Sequence, residues 1–392
     1  FTNPTTPWGS AHLLNANGDT ALSASLGFSA YMKTLVAAAS PTALGVLTKL
    51  PLKHVSDYAS LDAMVAALGA GPYIVHVDAD TACAANTVCG ANIHFLCEPG
   101  VTITVNNGIT LTVHSPEHVV CNVRQQAFTL AGTGLVVFTH GGTVYPGWWG
   151  AVGDGIADDT DAFAAAYAAA ITGHGGTIHV PGSAASYRVD LELSYQGSTS
   201  DSRHLCWCGD GANVSRLEAF TAGKPAIKIT GSGQWEWFWS VEKLGFVGTA
   251  QATSGFEYAD GTPTLLGVAF RDCSFYGCDT GFKNTGGLWY TFDNCTFSRC
   301  NIGTWIVGSA GMHGGCGRFT HCNWYLNLLA AVYIDGRAGY VEQLTFDSGV
   351  NEGNEGPAFL IRTWRRWPVM IRDFYFETNG AAAAVTVDGL VI

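Results

Sequence analysis

Charge is scarce in this sequence. Asp, Glu, Lys and Arg make up 13% of its 392 residues, too little to dress many solvent-facing helices. The basic sign is the scarcer one, with 19 Lys and Arg against 31 Asp and Glu and a net charge of -12. That balance argues against a nucleic-acid backbone as partner. No apolar run reaches the roughly 18 residues a membrane helix needs, and the Ala-rich stretch 162–171 is too short. None of the 12 cysteines forms a Cys-x-x-Cys pair, so the usual zinc signature is missing. The EF-hand spacing is missing as well, and no secretory leader is visible. The expectation is of a chain with no metal and no cofactor. It opens on Phe1 rather than Met and closes in what reads as a strand, so it is taken as part of a longer protein.

Glycine, in contrast, is plentiful, at 49 residues. Low charge with high glycine suits a β-rich solenoid of many tight turns. The chain is organised around Trp148-Trp149-Gly150-Ala151-Val152-Gly153-Asp154-Gly155-Ile156-Ala157-Asp158-Asp159-Thr160. Asp158, Asp159 and Thr160 can cap a helix and place negative charge at its positive end. Ala162, Phe163, Ala166, Tyr167, Ala170 and Ile171 then recur at helical spacing. Glycines at 173, 175 and 176 stop the helix. A short strand, Thr177-Ile178-His179-Val180, runs into Pro181-Gly182, and Tyr187-Arg188-Val189 follows.

This arrangement resembles the entry motif of the pectate-lyase-like, right-handed parallel β-helix superfamily, best known in phage tailspikes and extracellular polysaccharide-degrading enzymes. Two departures are visible: Trp149 stands where Phe is usual, and residues 183–186 are inserted before Tyr187. The resemblance implies an all-β, single-stranded parallel solenoid with a capping helix. It gives Asp154, Asp158 and Asp159 a structural part rather than a catalytic one. It also implies a homotrimer, a virion-tail or extracellular location, and glycans bound along the flank of the helix or between subunits.

Three regions follow in order. Residues 1–52 read as an extension, an arm for anchoring to a phage tail or baseplate protein. Residues 53–145 read as a small β-rich region: Ser60 caps a helix through Leu61, Met64, Val65 and Leu68. Short runs follow at Tyr73–Val77, Ile93–Leu96, Val101–Val105, Ile109–Val113 and Leu135–Phe138. Residues 146–392 read as the β-helix proper. Near its start, Trp235, Trp237 and Trp239 share one face at strand period, as a core or interface stripe or else a sugar-stacking platform.

A six-residue pattern defines the repeat: apolar, any, polar, apolar, any, aromatic. It begins at Val241, Phe270, Phe292, Phe319, Val341 and Ile371. The third position, as in Asp272, Asn294 and Asp373, is read as a corner in the left-handed conformation. The fourth gives an inward ladder of Leu244, Cys273, Cys295, Cys322, Leu344 and Phe374, and the sixth an aromatic stack of Phe246, Phe275, Phe297, Trp324, Phe346 and Phe376. The cysteines are thus read as small core hydrophobes, with disulfides between neighbouring rungs left open. The second position gives an outward column of alternating charge: Glu242, Arg271, Asp293, Thr320, Glu342 and Arg372.

The residue after each aromatic gives a further outward column: Val247, Tyr276, Ser298, Tyr325, Asp347 and Glu377. Stacked Asp347 and Glu377 would repel, which would raise one pKa and make one acid and one base. Loops nearby add Glu352 and Glu355, and Arg362, Trp364, Arg365, Arg366 and Trp367. The candidate catalytic residues are Asp347, Glu377, Glu352 and Glu355. The candidate glycan contacts are Tyr276, Tyr325, Arg362, Trp364, Arg365 and Trp367, with Trp for stacking and Arg for sugar carboxylates. The competing reading is a solvated surface on which those Arg and Glu residues pair with each other. The functional expectation is a tailspike-like protein that binds bacterial surface polysaccharide and cleaves its glycosidic bonds. The alternatives are a receptor-binding fibre without catalysis and a secreted polysaccharide lyase.

Overall fold

The computed structural model describes residues 51–172, 175–195, 204–231, 236–248, 254–260, 265–287, 289–308, 315–337, 341, 343–363, 369–377 and 385–388. The expected anchoring arm at 1–52, apart from its last two residues, lies outside these, as do Trp235, Trp364, Arg365, Arg366 and Trp367. Two compact units divide the chain: residues 1–140 with 148–150, and residues 141–147 with 151–392. No described helix is long and apolar enough to cross a membrane.

The first unit is a short parallel coil of three sheets, with strand orders that step from one coil to the next. Leu52–His54, Tyr73–Val77, Ile93–Cys97 and Val119–Val120 form one sheet. A helix, α1 (Leu61–Ala67), begins at Ser60, whose hydroxyl accepts the Ala63 amide at 3.3 Å. Alternation sets the inner face: Ile103, Val105, Leu111 and Val113 are fully buried.

The second unit is a parallel β-helix. Its three sheets hold nine, eight and eight strands, and each successive coil lays one strand in each sheet. The first full coil is Gly176–Val180, Tyr187–Arg188 and Leu191–Tyr195. The last described is Val369–Arg372, Tyr375–Glu377 and Val385–Asp388. A helix, α2 (Thr160–Thr172), packs against the first coils: Phe163 stacks with Trp207 at 6.4 Å and Tyr167 lies 5.7 Å from Trp239. Trp239 is 2% exposed and belongs to this core rather than to a sugar platform. The acidic motif is structural, as expected. Asp154 accepts the Ile156 and Ala157 amides at 2.8 Å, Asp158 that of Thr160 at 2.9 Å, and Asp159 those of Val152 and Gly153 at 2.7 and 3.2 Å.

The corner reading holds. Lys243, Asp272, Asn294, His321, Ser348 and Asp373 all have φ between 49° and 56°. Ser348 in that series exposes an error of phase. Gly317 pairs with Leu344 and Phe319 with Phe346, so this coil's six-residue unit begins at Phe346, not Val341. Its fourth position is Gly349 and its sixth Asn351, which pairs with Trp324 and Phe376. Leu344 and Phe346 therefore leave the columns assigned to them. Phe346 instead closes the first sheet's inner stack: Phe270–Phe292, Phe292–Phe319 and Phe319–Phe346 centroids are 4.4, 4.8 and 4.7 Å apart, nearly parallel. The phase error has a physical origin. Leu344-Thr345-Phe346 is apolar, any, aromatic, and so is the second half of every other unit.

The second sheet's stack runs Phe246–Phe275–Phe297–Trp324 at 4.9, 4.7 and 5.4 Å. At Gly349 a methyl would sit 2.5 Å from the Phe374 ring, so glycine makes room for the larger side chain on the next coil. All 12 cysteines are free thiols, and Cys273, Cys295 and Cys322 occupy the inward ladder as small hydrophobes.

A second corner, between the second and third sheets, also uses positive φ at Gly277, Arg299, Leu326 and Gly353. Leucine and arginine are poor residues for that conformation. Buried amides fix it: the Asn327 side chain accepts the Cys300 amide at 3.1 Å and donates to Phe297 O and to Asn354 Oδ1. Asn354 in turn donates to Trp324 O.

Candidate functional site

Strand alternation sends one set of side chains into the core and the other onto a flat outer wall. On the first sheet one outward column runs Ala269, Thr291, Arg318, Thr345 and Met370, and the next Glu242, Arg271, Asp293, Thr320, Asp347 and Arg372. Asp347 thus takes the place expected of Glu342, and the column of alternating charge is real. Arg271 lies 3.6 Å from Glu242, and Arg372 lies 3.2 Å from Asp347.

Along the first of these columns, on the side away from the charged one, lies a groove of about 460 Å³, lined by Trp289, Thr291, Cys316, Arg318, Gln343, Thr345 and Arg372, with the Tyr290 and Gly317 positions among them. It crosses four coils, about 14 Å at the usual strand spacing. Trp289 is 41% exposed, an uncommon setting for an indole. Arg318 is exposed and carries no ion pair among the described residues. The groove therefore offers an aromatic face, the Arg318 guanidinium, two threonine hydroxyls and Arg372, which also pairs with Asp347. Tyr290 is buried, and burial pushes its phenol well up, so it stays neutral. Gly317 makes room for it: a Cβ there would come within 2.3–2.6 Å of the Tyr290 ring and hydroxyl.

The second sheet brings together four of the residues singled out from sequence. Its outward column is Val247, Tyr276, Ser298, Tyr325, Glu352 and Glu377. The partner of Glu377 is therefore Glu352, not Asp347. Asp347 and Glu377 lie in different sheets, separated by the corner at Ser348, and the repulsion expected between them does not arise. Glu352 and Glu377 face each other across adjacent coils, with Cα atoms about 4.8 Å apart. Tyr375 donates its hydroxyl to Glu377 Oε2 at 2.8 Å. That hydrogen bond, then the Glu377 and Glu352 charges, push the exposed phenol's pKa up. The Arg299 guanidinium lies 5.9 Å over the Tyr276 ring. Glu355 is exposed in the loop after the second sheet, its amide bound to Asn327 O at 2.9 Å. Arg362 is on the third sheet, 5.8 Å over Tyr333, apart from both other faces.

Sequence reasoning missed Trp289, Arg318 and the groove itself. Trp289 and Arg318 are 29 residues apart, and only the pairing of Trp289 with Cys316 and Thr291 with Arg318 makes them neighbours. A signal was available two residues before each coil's outward threonine or arginine, had the first sheet been followed backward from its corner.

No protein-family model and no curated protein matches this chain. Among solved structures it is similar to ORF18 of Geobacillus virus E2, with 13% identity and a TM-score of 0.41, over 63% of this chain and 61% of that one. This chain thus spans about three fifths of that protein's length.

Proposed function

We propose that the chain binds an acidic bacterial surface polysaccharide on the outer wall of its β-helix and cleaves it, as a phage tailspike does. The observation that carries this reading is the groove with an exposed indole beside an arginine that has no ion pair among the described residues. Trp289 stacks on a sugar face, Arg318 holds a sugar carboxylate, and Thr291 and Thr345 bind hydroxyls. Beyond Asp347 the chain turns the corner at Ser348 and enters the second sheet at Val350, which carries Glu352 on the neighbouring face. Glu352 and Glu377 are paired on adjacent coils with Cα atoms about 4.8 Å apart, a placement that suits a retaining pair, whose carboxyl groups stand about 5–5.5 Å apart. In this reading Glu377, hydrogen-bonded by Tyr375, is the nucleophile, and Glu352 the acid–base group. Asp347 and Glu355 flank them. In this reading the chain works as a homotrimer, held to a tail or baseplate protein through residues 1–52.

A binding fibre without catalysis is the second reading. It is favoured by the partners that Asp347 and Glu377 already have in Arg372 and Tyr375. One experiment separates the two. Capsular and lipopolysaccharide glycans from candidate hosts are incubated with the protein and sized. Wild type is run beside Trp289→Ala, Asp347→Asn, Glu352→Gln and Glu377→Gln. Shortened chains with wild type, lost with either Glu variant, support cleavage at this pair. Binding without shortening supports the fibre. Affinity unchanged by Trp289→Ala removes the groove from the proposal.

A further inference from the structure

We propose that His54, His76 and Asp78, in the first unit, form a binding site for one divalent transition-metal ion, with zinc the best match to the donor set. This goes beyond the glycan reading and uses none of its residues. His54 closes the strand Leu52–His54 and is the register partner of His76 in Tyr73–Val77. Parallel pairing in register puts both imidazoles on one side of the sheet, one above the other. Asp78 follows two residues on. Its Oδ2 lies 2.8 Å from His54 Nδ1, and His76 Nδ1 lies 3.2 Å from the same nitrogen. All three ligand atoms fall within 4.8 Å of one another, the one such cluster of histidine, cysteine and acidic groups among the described residues.

The spacing is that of ligands around an ion. Metal–nitrogen bonds of about 2.0–2.1 Å at the tetrahedral angle set neighbouring ligand atoms about 3.3 Å apart. The surrounding groups point the donors inward. His76 is 3% exposed, and its Nε2 lies 3.1 Å from Glu98 Oε1. The carboxylate holds the proton on Nε2 and leaves the Nδ1 lone pair facing His54, the arrangement that carboxylates give to metal-bound histidines. Asp78 is fixed in the same way: Ser56 donates its amide to Oδ1 at 3.1 Å and its hydroxyl to Oδ2 at 2.9 Å. Two imidazole nitrogens 3.2 Å apart need something between them, either a single proton on His54 or a cation. One proton on His54 Nδ1 has to serve both Asp78 and His76, whereas a cation satisfies all three donors at once. Side-chain exposures of 37% for His54 and 19% for Asp78 leave room for water as a fourth ligand. Binding moves the His54 proton from Nδ1 to Nε2, so that a neutral imidazole ligates, and ties the first described strand to the next.

The test uses the full chain stripped with chelator and titrated with Co(II). One equivalent should give the visible d–d bands of a four-coordinate ion without the near-ultraviolet sulfur-to-cobalt band that any of the 12 cysteines would produce. Zn(II) should displace the cobalt and raise the melting temperature of wild type. His54→Gln and Asp78→Asn, both at partly exposed positions, should weaken binding at least about a hundredfold, and Glu98→Gln about ten- to a hundredfold. Far-ultraviolet circular dichroism shows whether each variant is folded. Absence of a stoichiometric cobalt spectrum in wild type, or the same spectrum in folded His54→Gln and Asp78→Asn, overturns the proposal. A sulfur-to-cobalt band assigns the metal to cysteine and overturns it equally.

Discussion

Replacing Asn327 with alanine should unlock the second corner of the β-helix at one coil. Three side-chain hydrogen bonds disappear: from the Cys300 amide at 3.1 Å, to Phe297 O at 3.1 Å and to Asn354 Oδ1 at 2.8 Å. All of these groups are buried, and Asn327 itself is 0% exposed. A buried amide left without an acceptor costs about 1–3 kcal/mol, and each further lost bond about 0.5–1.5 kcal/mol. The Asn327 backbone amide still reaches Asn354 Oδ1 at 2.8 Å, so that acceptor keeps one donor. The sum is about 3 kcal/mol. Because Leu326 sits at φ 54°, strain held by the amide bonds is released at the same time. In a solenoid each coil contacts only its neighbours, so the loss should stay local. Hydrogen exchange read by mass spectrometry over the peptides around Cys300 and Asn327 should quicken about 150-fold, the equivalent of about 3 kcal/mol. Exchange in coils two or more away should hold. A change below about fivefold, or one spread evenly over the second unit, would refute the claim that the buried amides hold the corner.

The first unit should weaken in acid. Burial first, then the neighbouring His118 and His114, lower the His94 pKa from 6.5 to about 4, and the His94 and His118 rings stack at 4.3 Å. A base with a depressed folded pKa favours the native state above its unfolded value and loses that contribution as pH falls from about 6.5 towards 4. With allowance for solvent screening this is about 2 kcal/mol. The urea midpoint of His94→Phe should therefore fall less than that of wild type between pH 7 and pH 4.5, and equal slopes would count against the argument. Gly349→Ala should lower the unfolding free energy by about 1–3 kcal/mol, since the added methyl meets Phe374 at 2.5 Å and Cys322 O at 2.7 Å. Adding Phe374→Leu should restore part of it in denaturant melts.

The register of the coil at 341–352 marks where the one-dimensional pattern fails. Apolar-any-aromatic occurs twice in coils such as those at Phe270 and Phe292, once entering the corner and once leaving it. Leu344-Thr345-Phe346 fits both places, and only pairing with Gly317 and Phe319 decides between them. Gly349 and Asn351 hide the true unit. One is small because Phe374 fills its space. The other is polar because it donates to Ala358 O and accepts from Asn354 near the second corner. The same slip carried Asp347 into the column of Glu377. Tyr276, Tyr325, Glu352 and Glu377 do share a face, but the intended catalytic partner changed from one acid to another.

The sequence by itself determined the solenoid. Alternating apolar residues, positive-φ corners at Asp272, Asn294 and Asp373, the inward cysteines and the capping motif around Asp154–Thr160 are local properties. They follow from sterics, hydrogen bonding and burial within a few residues. Tertiary structure alone decided which coil lies against which, and hence every grouping proposed to be functional: Trp289 beside Arg318, Glu352 beside Glu377, His54 beside His76. The distance between such groups is set by backbone pairing across a loop of free length, and loop length leaves no periodic trace in a sequence.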